Sequence, residues 1–356
     1  MRVVRHRLRR VGGEVPGEVG NRASTWRERH GVLLEVEDDG GARGVGEASP
    51  LPGYSPDTLE ACEAALAAWG ARLPIEIGGN GPPLERVEAS SSSAPDDAPA
   101  ARMAVETALL DLIGRRSGVP VSELLSGSRP TAAVPLCALL SGRDGAARAA
   151  EVREGLASGV RCFKLKVGGP DFAGELEAIR SLRRDCPGPW LLRLDANGAW
   201  SPEEARRNLA ALAGLGVELV EQPVAGDALF DLTGSPVLLA ADEAMRLPGA
   251  VGRLRASRAC AAVVLKPMVL GGLVRCLRLG RSAREARLGV IVTHSFDGPV
   301  ALAAACELAL ALATPLPCGL APHPALAAYG PALPAALRPD RIAPHARPGL
   351  GLADVS

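Results

Sequence analysis

The sequence predicts an α/β fold: a closed (β/α)8 barrel preceded by a separate α+β segment. Three observations predict it. From about residue 134, short apolar runs alternate with amphipathic stretches eight times. The runs are apolar almost throughout, as in strands of a parallel sheet covered on both faces. The first 50 residues instead alternate apolar and polar side chains, as strands with one wet face do. A length of 356 residues suits two domains, or one large barrel with an added part.

"RVVRHRLRRV" and "HGVLLEVEDDGGARGVGEA" read as strands, with "DDGG" as a hairpin turn. "SPDTLEACEAALAAWGARL" reads as a helix capped by Ser55, with Pro56 at the first helical position. "ASSSSAPDDAPA" (89–100) reads as a low-complexity loop and a domain boundary. "ARMAVETALLDLIGRRSG" is a helix ending at Gly118. The eight barrel runs are "VPLCALLS", "CFKLKV", "WLLRLDANG", "VELVEQPV", "VLLAADEA", "AAVVLKPM", "LGVIVTHS" and "LPCGLAP". No GxGxxG follows the first of them, which argues against an open dinucleotide-binding sheet. The proline-rich tail from Ala321 is apolar enough to pack back on the N-terminal part. The expected division is 1–100, 101–320 and 321–356.

Composition narrows the function. The formal net charge is zero, so there is no basic field for nucleic acid or anionic lipid. No window approaches 18 uninterrupted apolar residues, and the basic start lacks the apolar run of a signal peptide. The eight cysteines are scattered without a CxxC pair, and read as buried thiols in a reducing compartment. The expected location is the cytoplasm.

Lysine usage is the sharpest clue. Only Lys164, Lys166 and Lys266 occur, against 37 arginines, and all three lie in barrel runs. Arginine carries surface charge equally well but cannot lose a proton, so these lysines are candidates for proton transfer.

Charged residues also recur at the strand ends. Lys166, Asp195, Glu221, Asp242 and Lys266 are spaced by 29, 26, 21 and 24 residues, about one βα unit each. Catalytic groups of such barrels project from those ends. A single carboxylate there usually caps a helix; five such residues in succession do not fit that role. Three carboxylates in one dry cavity repel unless a cation joins them, and oxygen-only ligands favour a hard ion such as Mg²⁺. Lys164 and Lys166 share a strand face, and their repulsion lowers a lysine pKa toward that of a base. Lys266 comes from the opposite side of the barrel. The combination suits removal of a proton α to a metal-bound carboxylate. His294 and Ser295, at the seventh strand end, and Asn197, beyond the third, are candidate substrate contacts.

"KLK", "DANGAW", "EQP", "ADE" and "LKPMVLGG", in this order and spacing, resemble the muconate-lactonizing subgroup of the enolase superfamily. The resemblance spans nearly the whole chain. It implies a modified TIM-type (β/α) barrel with an α+β capping domain built from the N-terminal part and the C-terminal tail. It implies Asp195, Glu221 and Asp242 as Mg²⁺ ligands, with Mn²⁺ as an alternative. Lys166 would be the acid/base, Lys266 its counterpart, and Lys164 the support of Lys166. The substrate would be a small-molecule carboxylate, and family members are often homo-oligomers.

"GEASPLPGYSPDTLEAC" (46–62), with Tyr54 on its loop, resembles the capping loop of o-succinylbenzoate synthase, a dehydratase of menaquinone biosynthesis, and implies as the expected activity Mg-assisted α-proton abstraction through an enediolate followed by loss of water, a hydro-lyase reaction. N-succinylamino acid racemisation and muconate cycloisomerisation remain open. Dipeptide epimerases hold a substrate ammonium with an acidic pair near the eighth strand, where this chain has "CGLAPHP". A Schiff-base barrel needs no carboxylate trio, which argues against that class.

Overall fold

Two long N-terminal strands, β1 (Arg2–Gly20) and β2 (Thr25–Asp38), pair antiparallel, and β3 (Arg43–Ala48) adds to β2. The computed structural model describes residues 1–20, 24–77, 82–91, 98–330 and 333–352. The expected hairpin lies at 38–41. The Asp38 carboxylate accepts from the N–H groups of Gly40 and Ala42, both at 2.9 Å, in the manner of an Asx turn. A short β4 (Ile75–Glu76) pairs with the start of β1.

Helices α1 (Leu59–Gly70), α2 (Pro83–Ser91) and α3 (Pro99–Ser117) complete this cap. Helix α3 lies directly on β3. A Cβ at Gly46 would meet the Ala104 carbonyl oxygen at 1.9 Å, so glycine permits the contact. Helix α1 starts later than expected. Thr58, not Ser55, is the N-cap, accepting from Ala61 N–H at 3.2 Å. The Ser55 hydroxyl instead accepts from Leu51 N–H at 2.9 Å and closes the loop that carries Tyr54. Of the loop expected at 89–100, residues 89–91 finish α2, and 92–97 lie outside the described residues.

After α4 (Val121–Ser126), β5 (Val134–Pro135) pairs with the tail strand β13 (Arg341–Ile342). The barrel strands follow: β6 (Cys137–Leu140), β7 (Cys162–Lys166), β8 (Leu191–Asp195), β9 (Val217–Glu221), β10 (Leu238–Ala241), β11 (Ala262–Leu265) and β12 (Gly289–Val292). They are parallel and adjacent in chain order. The connecting helices are α5 (Gly145–Ala157), α6 (Phe172–Asp185), α7 (Pro202–Leu212), α8 (Ala250–Ser257), α9 (Pro267–Leu270), α10 (Leu273–Glu285) and α11 (Pro299–Leu312). A 3-10 turn, Gly226–Asp231, stands where the fourth helix would be.

The eighth run forms no extended strand. Its Cys318 and Gly319 make single bridges to Leu136 and Thr293, joining the first strand to the seventh. Pro317 has no N–H to give, so pairing is confined to the residues after it. The barrel is thereby closed, and the modified (β/α) barrel with its cap is the observed fold.

The tail returns to the cap as expected. The 3-10 segment Pro324–Tyr329 packs on β1 and β2. Buried Asp111 of α3 accepts from Val45 N–H at 3.0 Å and from Leu350 N–H at 2.8 Å, holding β3 and the tail together. Glu47 of β3 accepts from Gly298, Val300 and Ala301 N–H at 2.7–3.1 Å, so a cap carboxylate caps barrel helix α11. Arg29 donates to the carbonyls of Ser49, Pro50 and Phe296 at 2.7–3.0 Å and bridges the same seam. All eight cysteines are buried and free. Among the described residues no helix is long and apolar enough to cross a membrane.

Candidate active site

Side chains two apart on a strand share a face. Leu219, Ala240, Val264 and Ile291 form one buried cluster. Two residues onward stand Glu221, Asp242, Lys266 and Thr293, on the same faces at the C-terminal rim. An apolar cluster therefore underlies these four, while Lys164 and buried Arg193 stand level with Leu219 on the other side of the barrel. The ladder sets their order, with Lys166 opposite Asp195 and Asp195 opposite Glu221.

The cavity above encloses about 110 Å³ and is lined by Lys164, Lys166, Asp195 and Lys266 among others. Trp26 of β2, with Leu51 and Tyr54 of the capping loop, closes it from the cap side. Trp26 Nε1 donates to the Pro52 carbonyl at 2.9 Å, tying that loop to β2. His294, Ser295 and Phe296 follow the seventh strand, and Ala321–Pro324 end and follow the eighth run; they form the opposite wall.

The three lysines differ sharply. Lys164 Nζ donates to Asp195 at 3.3 Å and Glu221 at 3.0 Å. Burial opposes its charge, but those two carboxylates outweigh burial and hold its pKa above the ordinary value. Lys266 Nζ contacts Asp242 Oδ2 and the Tyr54 hydroxyl, both at 2.5 Å. Burial is again overcome, chiefly by Asp242, and Lys266 stays protonated. Among the described residues, Lys166 has no carboxylate hydrogen bond. Its Nζ donates to the Gly20 carbonyl at 2.7 Å and lies 5.5 Å from the Phe296 ring centroid. Burial lowers its pKa to about 8; Asp195 opposes this, and the positive charges of Lys164 and Lys266 add to the fall. The lysine with the lowered pKa is thus Lys166, while its neighbour moves the other way.

Asp195, Glu221 and Asp242 are only 2–4 % exposed. Among the described residues, no three groups are gathered closely enough to hold an ion as the side chains stand, since ammonium groups occupy the spaces between them. The donor set nevertheless fits a hard divalent cation. All three donors are carboxylates on successive strand ends. Burial, with the nearby charges of Glu243 and Asp195 and against that of Lys266, pushes Asp242 up to about 7. Glu243 Oε2 is buried without a partner among the described residues. Added positive charge would relieve both.

Two further residues shape the site. Buried Gln222, at φ +39°, accepts at Oε1 from the N–H groups of Asp242 and Ala244, both at 3.0 Å, and donates from Nε2 to the Val224 carbonyl at 2.7 Å. It holds Asp242 in place from the neighbouring strand. Asn197, at φ +44°, gives its N–H to Asp195 at 3.1 Å and its amide to Glu243 at 3.3 Å. Trp26, Phe296 and His323 were not among the sequence-predicted contacts. His323 was detectable only as the first ring beyond the eighth run.

The comparisons agree with this architecture. Residues 147–353 match the family described as enolase C-terminal domain-like, and residues 19–126 match the mandelate racemase / muconate lactonizing enzyme N-terminal domain. The chain is 31% identical over 284 residues to muconate cycloisomerase 1-1 of Acinetobacter lwoffii, covering 78% of this chain and 74% of that protein. It is 26% identical over 317 residues to the L-Ala-D/L-Glu epimerase of Bacillus subtilis (strain 168), covering 87% and 85%. An o-succinylbenzoate synthase of Desulfotalea psychrophila is 30% identical over 230 residues, covering 62% of each chain. In fold, it superposes on the dipeptide epimerase from Enterococcus faecalis V583 complexed with Mg and the dipeptide L-Leu-L-Tyr. The TM-score is 0.87 at 23% identity, covering 99% of this chain and 100% of that one. A capping domain and a barrel matched over most of the chain, with the acidic and basic residues at successive strand ends, lead to one assignment: this chain belongs to the enolase superfamily.

Proposed function

We propose that the chain removes the proton α to the carboxylate of a small-molecule acid and returns a proton to the same carbon. The observation that carries this is the pairing of Lys166 and Lys266 across one cavity. They come from β7 and β11, four strands apart in the sheet and therefore on opposite sides of the barrel. The pKa of one is lowered to about 8, and the other is held protonated. That is the starting state for removing a proton on one face and delivering one on the other.

Asp195, Glu221 and Asp242 would hold Mg²⁺, the ion named in the Enterococcus structure, with Mn²⁺ as a substitute. When bound, the ion supplies charge that stabilises the enediolate form of the substrate. Lys166 takes the α-proton. Lys164 keeps its charge beside Asp195 and Glu221 and adds to the lowering of the Lys166 pKa. Lys266 faces the other side of the carbon and gives its proton there. Tyr54 and its loop close the cavity and exclude water.

The o-succinylbenzoate synthase reading, supported by the capping loop and the Desulfotalea relative, is the second. It shares the first step, but Lys166 would then protonate a departing hydroxyl while Lys266 stabilised the anion. Muconate cycloisomerisation uses the same groups on a diacid. An assay in D₂O with Mg²⁺ separates these readings. Deuterium at the α-carbon with inversion, from N-acyl amino acids, supports the two-lysine transfer. Formation of o-succinylbenzoate from its cyclohexadiene precursor selects the dehydratase. Exchange undiminished by EDTA overturns the metal-assisted reading altogether.

A further inference from the structure

The inner face of the barrel carries a second group of reactive atoms, one layer below the lysines. Cys137 of β6 and Cys162 of β7 stand directly opposite one another in the parallel ladder. Side chains two apart on a strand share a face, so Cys162 goes with Lys164 and Cys137 goes with Leu139. Cys137 and Leu139 both line the catalytic cavity, which therefore ends on a thiol at its β6 side. The two thiols hydrogen-bond to each other. Buried Arg193 donates from Nε to Glu218 Oε2 at 2.7 Å, and Cys162 Sγ lies 4.0 Å from the same oxygen.

This pair differs from the other six cysteines. In those six, burial raises the thiol pKa. Cys137 moves the other way. The hydrogen bond from Cys162, with the charges of Arg193 and Lys164, outweighs burial and the opposing charge of Glu221. Cys162 is raised by that same hydrogen bond and by burial. One sulfur is disposed to attack and the other to remain a thiol, as in an attacking cysteine beside a resolving one. The backbone permits a bond between them. Neighbouring strands are about 4.8 Å apart, within the Cα range of disulfides, but the Cβ atoms must come to about 3.8 Å. Closing the bond draws β6 and β7 together by up to about 1 Å, two residues before Lys164.

We propose that Cys137 and Cys162 are a peroxide-sensitive thiol pair at the edge of the catalytic cavity, and that their oxidation to a disulfide slows turnover by shifting Lys164. The Cys137 thiolate attacks one oxygen of hydrogen peroxide. An S–O bond forms, the O–O bond breaks, and the departing hydroxide takes the Cys137 proton to become water. The Cys162 sulfur then attacks the Cys137 sulfenic acid. The S–S bond forms, the S–O bond breaks, and the oxygen leaves as water with the Cys162 proton. The thiols lose two electrons and two protons, and the peroxide is reduced to two waters. A bond that strains its strands is readily reduced, so a dithiol reverses the change.

The test exposes the reduced, folded chain to a few equivalents of hydrogen peroxide, then unfolds it, alkylates the remaining thiols and maps the peptides by mass spectrometry. The expected product is a Cys137–Cys162 cross-link that dithiothreitol removes, with the other six cysteines alkylated. In Cys162→Ala, oxidation should stop at a sulfenic acid on Cys137 that dimedone traps. Cys137→Ala should give neither cross-link nor adduct. With Mg²⁺, kcat should fall by about tenfold or more on oxidation, since displacements of this size near reacting groups are costly. It should return with dithiothreitol and stay level when Cys137→Ala is treated. The fall is read on whichever of the N-acyl amino acid, cyclohexadiene or muconate substrates turns over. No cross-link in the folded wild type, or equally fast cross-linking through other cysteines, overturns the pair. A cross-link that leaves kcat unchanged overturns the effect on Lys164. The mapping needs no substrate, so its failure is distinct from failure of the α-proton-transfer reading.

Discussion

Lys166 Nζ donates to the carbonyl of Gly20 at 2.7 Å, so the candidate base on the barrel touches the backbone of the cap. Burial and the charges of Lys164 and Lys266 disfavour its ammonium form, and together they outweigh the opposing carboxylate of Asp195.

The pH dependence follows from that setting. The Lys166 pKa falls from 10.5 to about 8, and only the neutral amine can take a proton. Activity should rise about tenfold per pH unit below the midpoint and level off above it. Bound Mg²⁺ adds positive charge and moves the midpoint to about 8 or lower. Lys266 is raised, so no loss through that group is expected near pH 9. A kcat/KM profile that rises only near 10.5 would contradict the assignment.

Lys166→Arg keeps the charge and nearly the length but cannot release its proton. The expected result is a fall of about 10²–10⁴ in kcat, with near-native circular dichroism and Tm. A turnover close to wild type would remove Lys166 from the proposed mechanism.

Chelation should abolish α-exchange, and Mg²⁺ should restore it. The ion should also raise Tm, because it binds the folded chain alone. Asp195→Asn should lose both responses. Its carboxylate is 3% exposed and borders the cavity. A Tm rise of wild-type size in Asp195→Asn would show that the ion sits elsewhere.

Gln222→Leu tests the positioning of Asp242. The change strands the N–H groups of Asp242 and Ala244 in a buried site, at a cost of about 1–3 kcal/mol. Urea unfolding should show that loss. Mg²⁺ titration should show an affinity weaker by about 10–100-fold, in line with the loss of other groups that orient ligands. An unchanged affinity in a destabilised variant would confine Gln222 to a structural role.

Much of the architecture was legible because it follows from local patterns. Seven of the eight apolar runs became the parallel strands, since runs of that kind are stable only when covered on both faces. The eighth was not, because Pro317 limits it to bridges at Cys318 and Gly319. The start of α1 shifted from Ser55 to Thr58 because both residues can cap, and the sequence does not say which hydroxyl meets a helix N–H. The Gln222 contacts were not legible at all, since they join residues 20 and 22 positions apart.

By itself, the sequence determined the barrel, the returning tail and the set of charged residues at the strand ends. Periodicity and spacing along the chain carry that information. Only the tertiary structure decided the surroundings of each lysine. Lys164 and Lys166 are two residues apart on one strand, yet two carboxylates raise one and burial lowers the other. It also decided which ring nitrogen of His323 carries the proton, because Nε2 lies 3.1 Å from the Asp297 carbonyl oxygen, 26 residues away in the chain. Charge and protonation are set by neighbours in space, and a barrel gathers those neighbours from every strand.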